Sequence, residues 1–292
     1  MHIIVCIKAI PRQDSLQFDP VTHNIIRTSA ELVLNQPDRH ALEAAVRLRE
    51  ASSYVKCTSE DASLTADNHI SVITMGPSQA SAVLRQALAL GCEEAYLLSD
   101  RAFAGADTLA TARVLAAAIQ KLGAYDLVIC GSHSLDADTG QVPVQVAEIL
   151  GVPQVTSVGG EGNHGPPSEA SLARSGGIAL TGVDHLRITR ALDCGHQEVT
   201  ASLPAVLAVT EQANQPRYPH ALAIMRSARK TVTTWSCADL GLSLAEVGAA
   251  GSPTQVSRLF SSDAKRSTTV YSGTIAEQTA SLLRDLKMRG AL

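Results

Sequence analysis

The chain has 292 residues, of which 45% are hydrophobic and 18% charged, so it can bury a full core as one large domain or two modest ones. A net charge of −4 leaves no overall basic field for nucleic acid, and no apolar run reaches the roughly 18 residues of a membrane span, which excludes a membrane-inserted protein. Aromatics make up only 3%, so the core must be aliphatic, which suits a buried parallel sheet covered by helices.

In chain order, Met1 to Lys8 reads as a first strand, Ile3 to Ile7, and not as a signal peptide. Residues 12–34 are polar and irregular, with a hairpin expected around Thr22-His23-Asn24. Asn35-Gln36-Pro37-Asp38 is a turn with a helix-starting residue, and Ala41, Leu42, Ala45, Val46 and Leu48 give the helical face behind it. Residues 51–69 read as a loop. Ile70 to Met75 is a second strand, after which Ser78 caps a helix that Gly91 stops. Ala95 to Leu98 is a third strand. A loop through Asp100, Arg101, Gly105 and Asp107 follows, and Thr108 starts a helix running to Leu122. The fourth strand is Leu127 to Cys130. Strands and helices alternating at short spacing predict an α/β fold, a Rossmann-like parallel sheet with helices on both faces.

The most telling stretch starts at that fourth strand. The strand ends at Gly131, a polar, acidic loop follows, and Thr139-Gly140-Gln141 opens an apolar-periodic helix that ends near Gly151. Strand, glycine, polar loop and helix N-terminus let backbone N–H groups face a phosphate at the carboxyl edge of a parallel sheet. Gly131 is expected to allow close approach, Thr139 to offer a hydroxyl, and Gly140, Gln141 and Val142 to supply amides. Asp136 and Asp138 suit a phosphate poorly. One of them is expected to cap the helix or to accept from a ribose hydroxyl.

Beyond Thr156 the character changes. Residues 157–180 read as a Gly/Pro-rich loop, and Leu186 to Arg190 and Glu198 to Val209 as two antiparallel strands. The division expected is a nucleotide-binding domain over 1–209 and a C-terminal arm over 210–292 that needs a partner to pack against. Six widely spaced cysteines without a C-x-x-C pair read as reduced thiols of a cytoplasmic protein. The nine histidines form no metal-ligand spacing, so no metal is expected.

The run Ile188-Thr-Arg190-Ala-Leu-Asp193-Cys-Gly195-His-Gln197-Glu-Val199, continued by Pro204-Ala-Val206-Leu207-Ala208, resembles the signature of the electron-transfer flavoprotein beta subunit. Cys194 stands where that family has a small or acidic residue. Val5 to Lys8, Asn35 with Ala41 to Ala45, Met75-Gly76-Pro77, and Asn214 to Pro219 followed by Ile224-Met225 agree with the family in order. The stretches Ser99 to Thr111 and Asp136 to Val142 are similar to the electron-bifurcating and nitrogen-fixation-related branch.

The resemblance implies an FAD in this subunit, where housekeeping members are similar in fold but hold AMP. It places Cys6, Asn35, Gln36, Pro37, Asp38 and Met75 along the adenine nucleotide, with the phosphates at Gly131, Ser132, His133 and Ser134. It places Asp100, Gly105, Thr108 and Thr111 toward the flavin. The implied partners are an alpha subunit in a heterodimer, an acyl-CoA-type dehydrogenase or quinone reductase, NADH, and a low-potential ferredoxin or flavodoxin. Ala221, Leu222 and Arg226 fall on the segment that docks the dehydrogenase, with Ala221 where the family has its anchoring leucine. The flavin would carry the chemistry, and no side chain is expected to act as a catalytic acid or nucleophile. A nucleotide-binding regulatory module without a redox role is the alternative of a different class.

Overall fold

A computed structural model describes residues 1–12, 17–18, 25–26, 31–58, 68–160, 177–181, 184–255 and 268–291. Three strands are continuous buried apolar runs: β1 (His2–Cys6), β8 (Leu127–Gly131) and β13 (Ala205–Val209). Such strands carry no polar face because helices cover both sides. Alternation then assigns the sides. Ile3 and Val5 pack toward α1 (Gln36–Thr58) and α2 (Ser81–Leu90). Ile4 and Cys6 pack toward α3 (Thr108–Leu122) and α4 (Val142–Leu150).

The parallel core completes with β6 (His69–Met75), β7 (Glu94–Leu98), β9 (Gln154–Val158) and β14 (Thr233–Trp235), in the order β9-β13-β8-β1-β6-β7-β14. From β1 the chain winds to β6 and β7, then crosses back through α3 to β8 on the far side of β1. The winding therefore reverses between β1 and β8. In an open parallel sheet, a ligand crevice lies beyond the strand ends at that point. An antiparallel extension of β10 (Ile178–Leu180), β11 (His185–Leu192) and β12 (Gly195–Ser202) flanks β9.

The α/β class and the winding match the sequence reading, with differences at the margins. The helix after Asp38 does not stop near residue 50 but runs to Thr58, through the first part of the expected 51–69 loop. The run read as a single strand from Glu198 to Val209 is two, β12 and β13, separated at Leu203-Pro204, because Pro204 cannot donate to a ladder. Ser78 does not cap a helix. It opens a 3-10 turn without a side-chain cap bond, and α2 follows. Part of the expected 157–180 loop is strand: β9 extends to Val158 and β10 begins at Ile178. The 12–34 stretch carries three short strands: β3 (Gln17–Phe18) pairs antiparallel with β4 (Ile25–Ile26), and β5 (Leu32–Leu34) pairs antiparallel with β2 (Ala9–Pro11), which lies just before the stretch. The expected hairpin tip at Thr22-His23-Asn24 lies outside the described residues.

After residue 209 the chain first stays on the α/β body. The β14 strand adds to the sheet beside β7, and Cys237 and Val247 are buried among the side chains of the α3 layer. The short α5 (Ala221–Ser227) lies against α2: Arg85 of α2 donates to the carbonyls of Ser227 and Ala228, 3.1 Å each. The last helix, α6 (Ile275–Met288), differs. It opens with a Thr274–Glu277 capping box but buries no residue, and it leaves Ile275, Leu282, Leu283 and Met288 exposed. Among the described residues no helix is long and apolar enough to cross a membrane.

Candidate functional site

The crevice between the ends of β1 and β8 is built by three segments. The first is Lys8, just past β1. Its backbone N–H donates to Asp38 Oδ2 at 2.7 Å, and its ammonium donates to Asp136 Oδ1 at 2.6 Å and to Ser134 Oγ at 3.2 Å. The second is the start of α1. Asn35 is 1% exposed; its Nδ2 donates to His133 O at 2.9 Å, and its Oδ1 accepts from Leu135 N at 3.1 Å. The Asn35 side chain thus holds the 133–135 loop in place, where the resemblance pointed to a base or ribose contact. Asp38, one turn on, is buried. Burial pushes its carboxyl up to about 7, against the stabilising N–H groups of Lys8 and Gly131 and the Asn35 amide.

The third segment is the Gly131 turn. A Cβ on Gly131 would collide with the Asp38 carboxylate and come within 2.9 Å of Asp38 N and of the Pro37 carbonyl carbon. Gly131 therefore makes room first for α1, so that Gln36, Pro37 and Asp38 seat against the strand end. Beyond it, Ser132 Oγ lies 2.9 Å from His133 Nδ1, and His133 Nε2 lies 3.8 Å from Asp138. Asp138 N donates to Ser134 O at 2.7 Å, which holds Asp138 in the left-handed region at φ 51°; Gly140 follows at φ 62°.

This turn delivers the chain to α4 with its first donors unmet. No side chain caps α4, and Pro143 lacks an N–H. The amides of Thr139, Gly140, Gln141, Val142 and Val144 find no acceptor among the described residues. The expected acidic cap is therefore absent: Asp136 is held by Lys8, and Asp138 points to His133. Partial burial opposes ionisation of Asp136, but the Lys8 ammonium overrides it and keeps the carboxyl below its usual range. Free amides, a helix dipole and a nearby ammonium together make a place for a phosphate.

Cys6 and Cys130 are aligned neighbours on β1 and β8, and their thiols meet at the floor of the crevice. Met75 ends β6, on the other side of β1. The crevice therefore gathers Cys6, Asn35, Gln36, Pro37, Asp38, Ser132, His133 and Ser134 with the α4 start, and Met75 stands at its border.

The Asp100–Thr111 stretch lies to one side, past the end of β7, and reaches the α4 start through Thr108. Thr108 Oγ1 donates to Gln141 Oε1 at 2.8 Å and accepts from Gln145 Nε2 at 3.3 Å. Its two carboxylates face inward. Asp100 accepts from Ala102 N and Cys237 N at 3.0 Å each, which holds it below the usual range. Asp107 caps α3 through Ala110 N at 3.0 Å, so this helix start has a side-chain cap of its own. Gly105, at φ 74°, packs against Ala249. Thr111, one turn into α3, donates its backbone N–H to Asp107 O.

Ala221, Leu222 and Arg226 stand elsewhere, on α5. Leu222 is 57% exposed and Met225 65%, and Tyr218 and Ile224 widen this apolar surface. The segment leading into it is anchored by Arg217, whose guanidinium donates to Glu43 and Glu50 of α1 at 2.6–3.1 Å. Sequence reasoning missed Lys8 and Arg217 as positioning groups. For Lys8 the available signal was its place just beyond a buried strand. Among the described residues no His/Cys/Asp/Glu group has the makings of a metal site, and Cys6, Cys92, Cys130, Cys194 and Cys237 are free thiols.

Comparison with known proteins bears on this geometry. The electron transfer flavoprotein domain family matches residues 22–240. The chain is 37% identical over 290 residues, 99% of each chain, to an electron transfer flavoprotein subunit beta of Thermoanaerobacterium thermosaccharolyticum. It is 36% identical over 288 residues, 98% of each chain, to the caffeyl-CoA reductase-Etf complex subunit CarD of Acetobacterium woodii. It is 35% identical over 270 residues, 91% of this chain and 86% of the relative, to the protein FixA of Azorhizobium caulinodans.

Proposed function

The chain belongs to the electron transfer flavoprotein family as a beta subunit, and on that premise we propose that its β1/β8 crevice binds FAD in a heterodimer with an alpha subunit. The observation that carries the reading is the uncapped start of α4, where five amides have no partner among the described residues, with Lys8 holding the adjoining loop. In this assignment the amides of Thr139, Gly140, Gln141 and Val142 hold the phosphates. Cys6 and Met75 offer the adenine an apolar flank, and Asn35 and Asp38 keep the strand ends and the 133–135 loop at their spacing. Thr108 brings the flavin-side loop to the phosphate site.

An FAD held here supplies hydride acceptance from NADH and one-electron release, to the alpha subunit's flavin on one branch and to a ferredoxin or flavodoxin on the other. The match to a subunit of a caffeyl-CoA reductase-Etf complex supports that bifurcating assignment. The protein's own contribution is to bind and orient, with no side chain acting as acid or nucleophile. The exposed Leu222 and Met225, with Arg226 beside them, suit docking to an acyl-CoA-type dehydrogenase or quinone reductase through an apolar anchor with a cationic rim. The exposed apolar residues of α6 suit burial against the alpha subunit.

Nucleotide analysis of the purified heterodimer tests the reading. Two FAD per heterodimer is the expected result. One FAD with one AMP would replace it with a non-bifurcating carrier whose crevice holds AMP as a structural ligand.

A further inference from the structure

The loop from Asp100 to Asp107 is held largely from the C-terminal part of the chain. Ala249 N donates to Ala104 O at 3.0 Å. Ser252 Oγ accepts from Asp107 N at 2.8 Å and donates to Gly248 O at 2.6 Å, so one hydroxyl ties two segments together using both of its hydrogen-bonding roles. Thr254 N donates to Asp107 Oδ2 at 3.0 Å. Contact at Gly248 leaves no room for a side chain: an added Cβ would collide with the Ala102 carbonyl and lie 2.9 Å from the Ala104 carbonyl, at a backbone φ of 57°. Ser252 is 7% exposed, so its bonds do not compete freely with water.

We propose that Gly248–Thr254 is a bracket that sets the Asp100–Thr108 loop for the flavin part of an FAD, and that it thereby favours FAD over AMP. The proposal rests on the FAD reading above. From Ser252 the contacts run to Asp107, then through Thr108 to Gln141 at the start of α4. AMP ends at a single phosphate, which the α4 amides can hold alone. FAD adds a second phosphate, a ribityl chain and the flavin ring, and these need surface beside that helix start. The loop fixed by the bracket is the neighbouring surface that the structure joins to α4. Gly248, Ser252 and Thr254 are therefore positioning residues, acting through Asp107 and Thr108.

The test uses the alpha–beta heterodimer stripped of its nucleotides, with FAD and AMP as separate probes at the beta site. For Gly248→Ala, FAD affinity is expected to fall by about tenfold or more and AMP affinity by less than about twofold. Ser252→Ala removes one hydroxyl and leaves the backbone contacts. Its expected loss is about three- to fivefold for FAD, with AMP unchanged. Visible circular dichroism of the bound flavin should change in both variants, a readout that general destabilisation does not move selectively. If Gly248→Ala does not assemble, Ser252→Ala decides. An unaltered ratio of FAD to AMP affinity, whether both hold or both fall together, overturns the bracket while leaving the FAD reading standing. A wild-type complex that takes AMP but no second FAD overturns both.

Discussion

Two helix starts meet at Gln141 and Thr108, and they are finished in opposite ways. At α3 the chain supplies its own cap: Asp107 accepts from Ala110 N and is itself held by Ser252 and Thr254. At α4 no side chain caps the helix, a proline removes one N–H, and the remaining first-turn amides find no acceptor among the described residues. A helix end without side-chain, water or ligand partners is unfavourable, so the contrast separates the two roles. The α3 end is scaffold closed by the chain itself, and the α4 end is left for a ligand to complete. The two carboxylates of the first region support the fold. In the second region, Asp136 supports it through Lys8.

The largest expected effect is at the junction beneath the α4 side. Gly131→Ala forces α1 away from the strand end and is predicted to cost about 3 kcal/mol, read as a lowered urea midpoint together with loss of bound nucleotide. An unchanged midpoint would show that the two elements are not in contact there.

Asp38 comes next. Its folded-state carboxyl, pushed up to about 7 from 3.8, binds a proton more tightly than in the unfolded chain. Its contribution is therefore fully present below about pH 4 and is lost as pH rises from there through about 7. Asp38→Asn should flatten the fall in stability between about pH 4 and about pH 7. A variant with the wild-type slope would locate that titration elsewhere.

At the α3 side, Asp107→Ala removes a cap and is expected to cost about 1 kcal/mol of stability, without the nucleotide loss caused by Gly131→Ala being matched for AMP. The smallest stability effect belongs to Lys8→Ala. The Lys8–Asp136 pair is partly exposed, so less than about 1 kcal/mol is at stake. Nucleotide affinity should nevertheless weaken several-fold, roughly the value of one charge near a phosphate. A stability loss larger than the binding loss would reverse the roles assigned to the two regions.

How much of this could be read from sequence follows from the range of each interaction. The parallel core was legible because Ile3–Ile7 and Leu127–Cys130 are buried on both faces and read as unbroken apolar runs, and Ile70–Met75 is interrupted only by the small Ser71 and Thr74. The ends of α2 and α4 were legible because Gly91 and Gly151 carry positive φ. The strand β9 was not, because Gln154, Thr156 and Ser157 give it a polar pattern although Val155 and Val158 are buried. At three residues, β14 is too short to show a period, and only its pairing with β7 identifies it.

The phosphate turn was legible for local reasons, since glycine, loop and helix start are contiguous. What Gly131 accommodates was not, because Asp38 lies far back in the chain. Nor was the closure of the Asp100–Asp107 loop by residues from Cys237 to Thr254, since contacts at such separation leave no spacing to recognise. The resemblance placed Asp100 toward the flavin, and Asp107 read only as part of the loop. Their engagement with the chain's own amides is visible only once the sheet brings the segments together.

The central claim, that the open α4 start is the phosphate seat of an FAD, is tested most directly by a crystal structure of the heterodimer with its native nucleotides. The account predicts an FAD whose phosphates accept from the amides of Thr139 to Val142, with the flavin beside the Asp100–Thr108 loop. An AMP at those amides, or a nucleotide seated away from them, would contradict it.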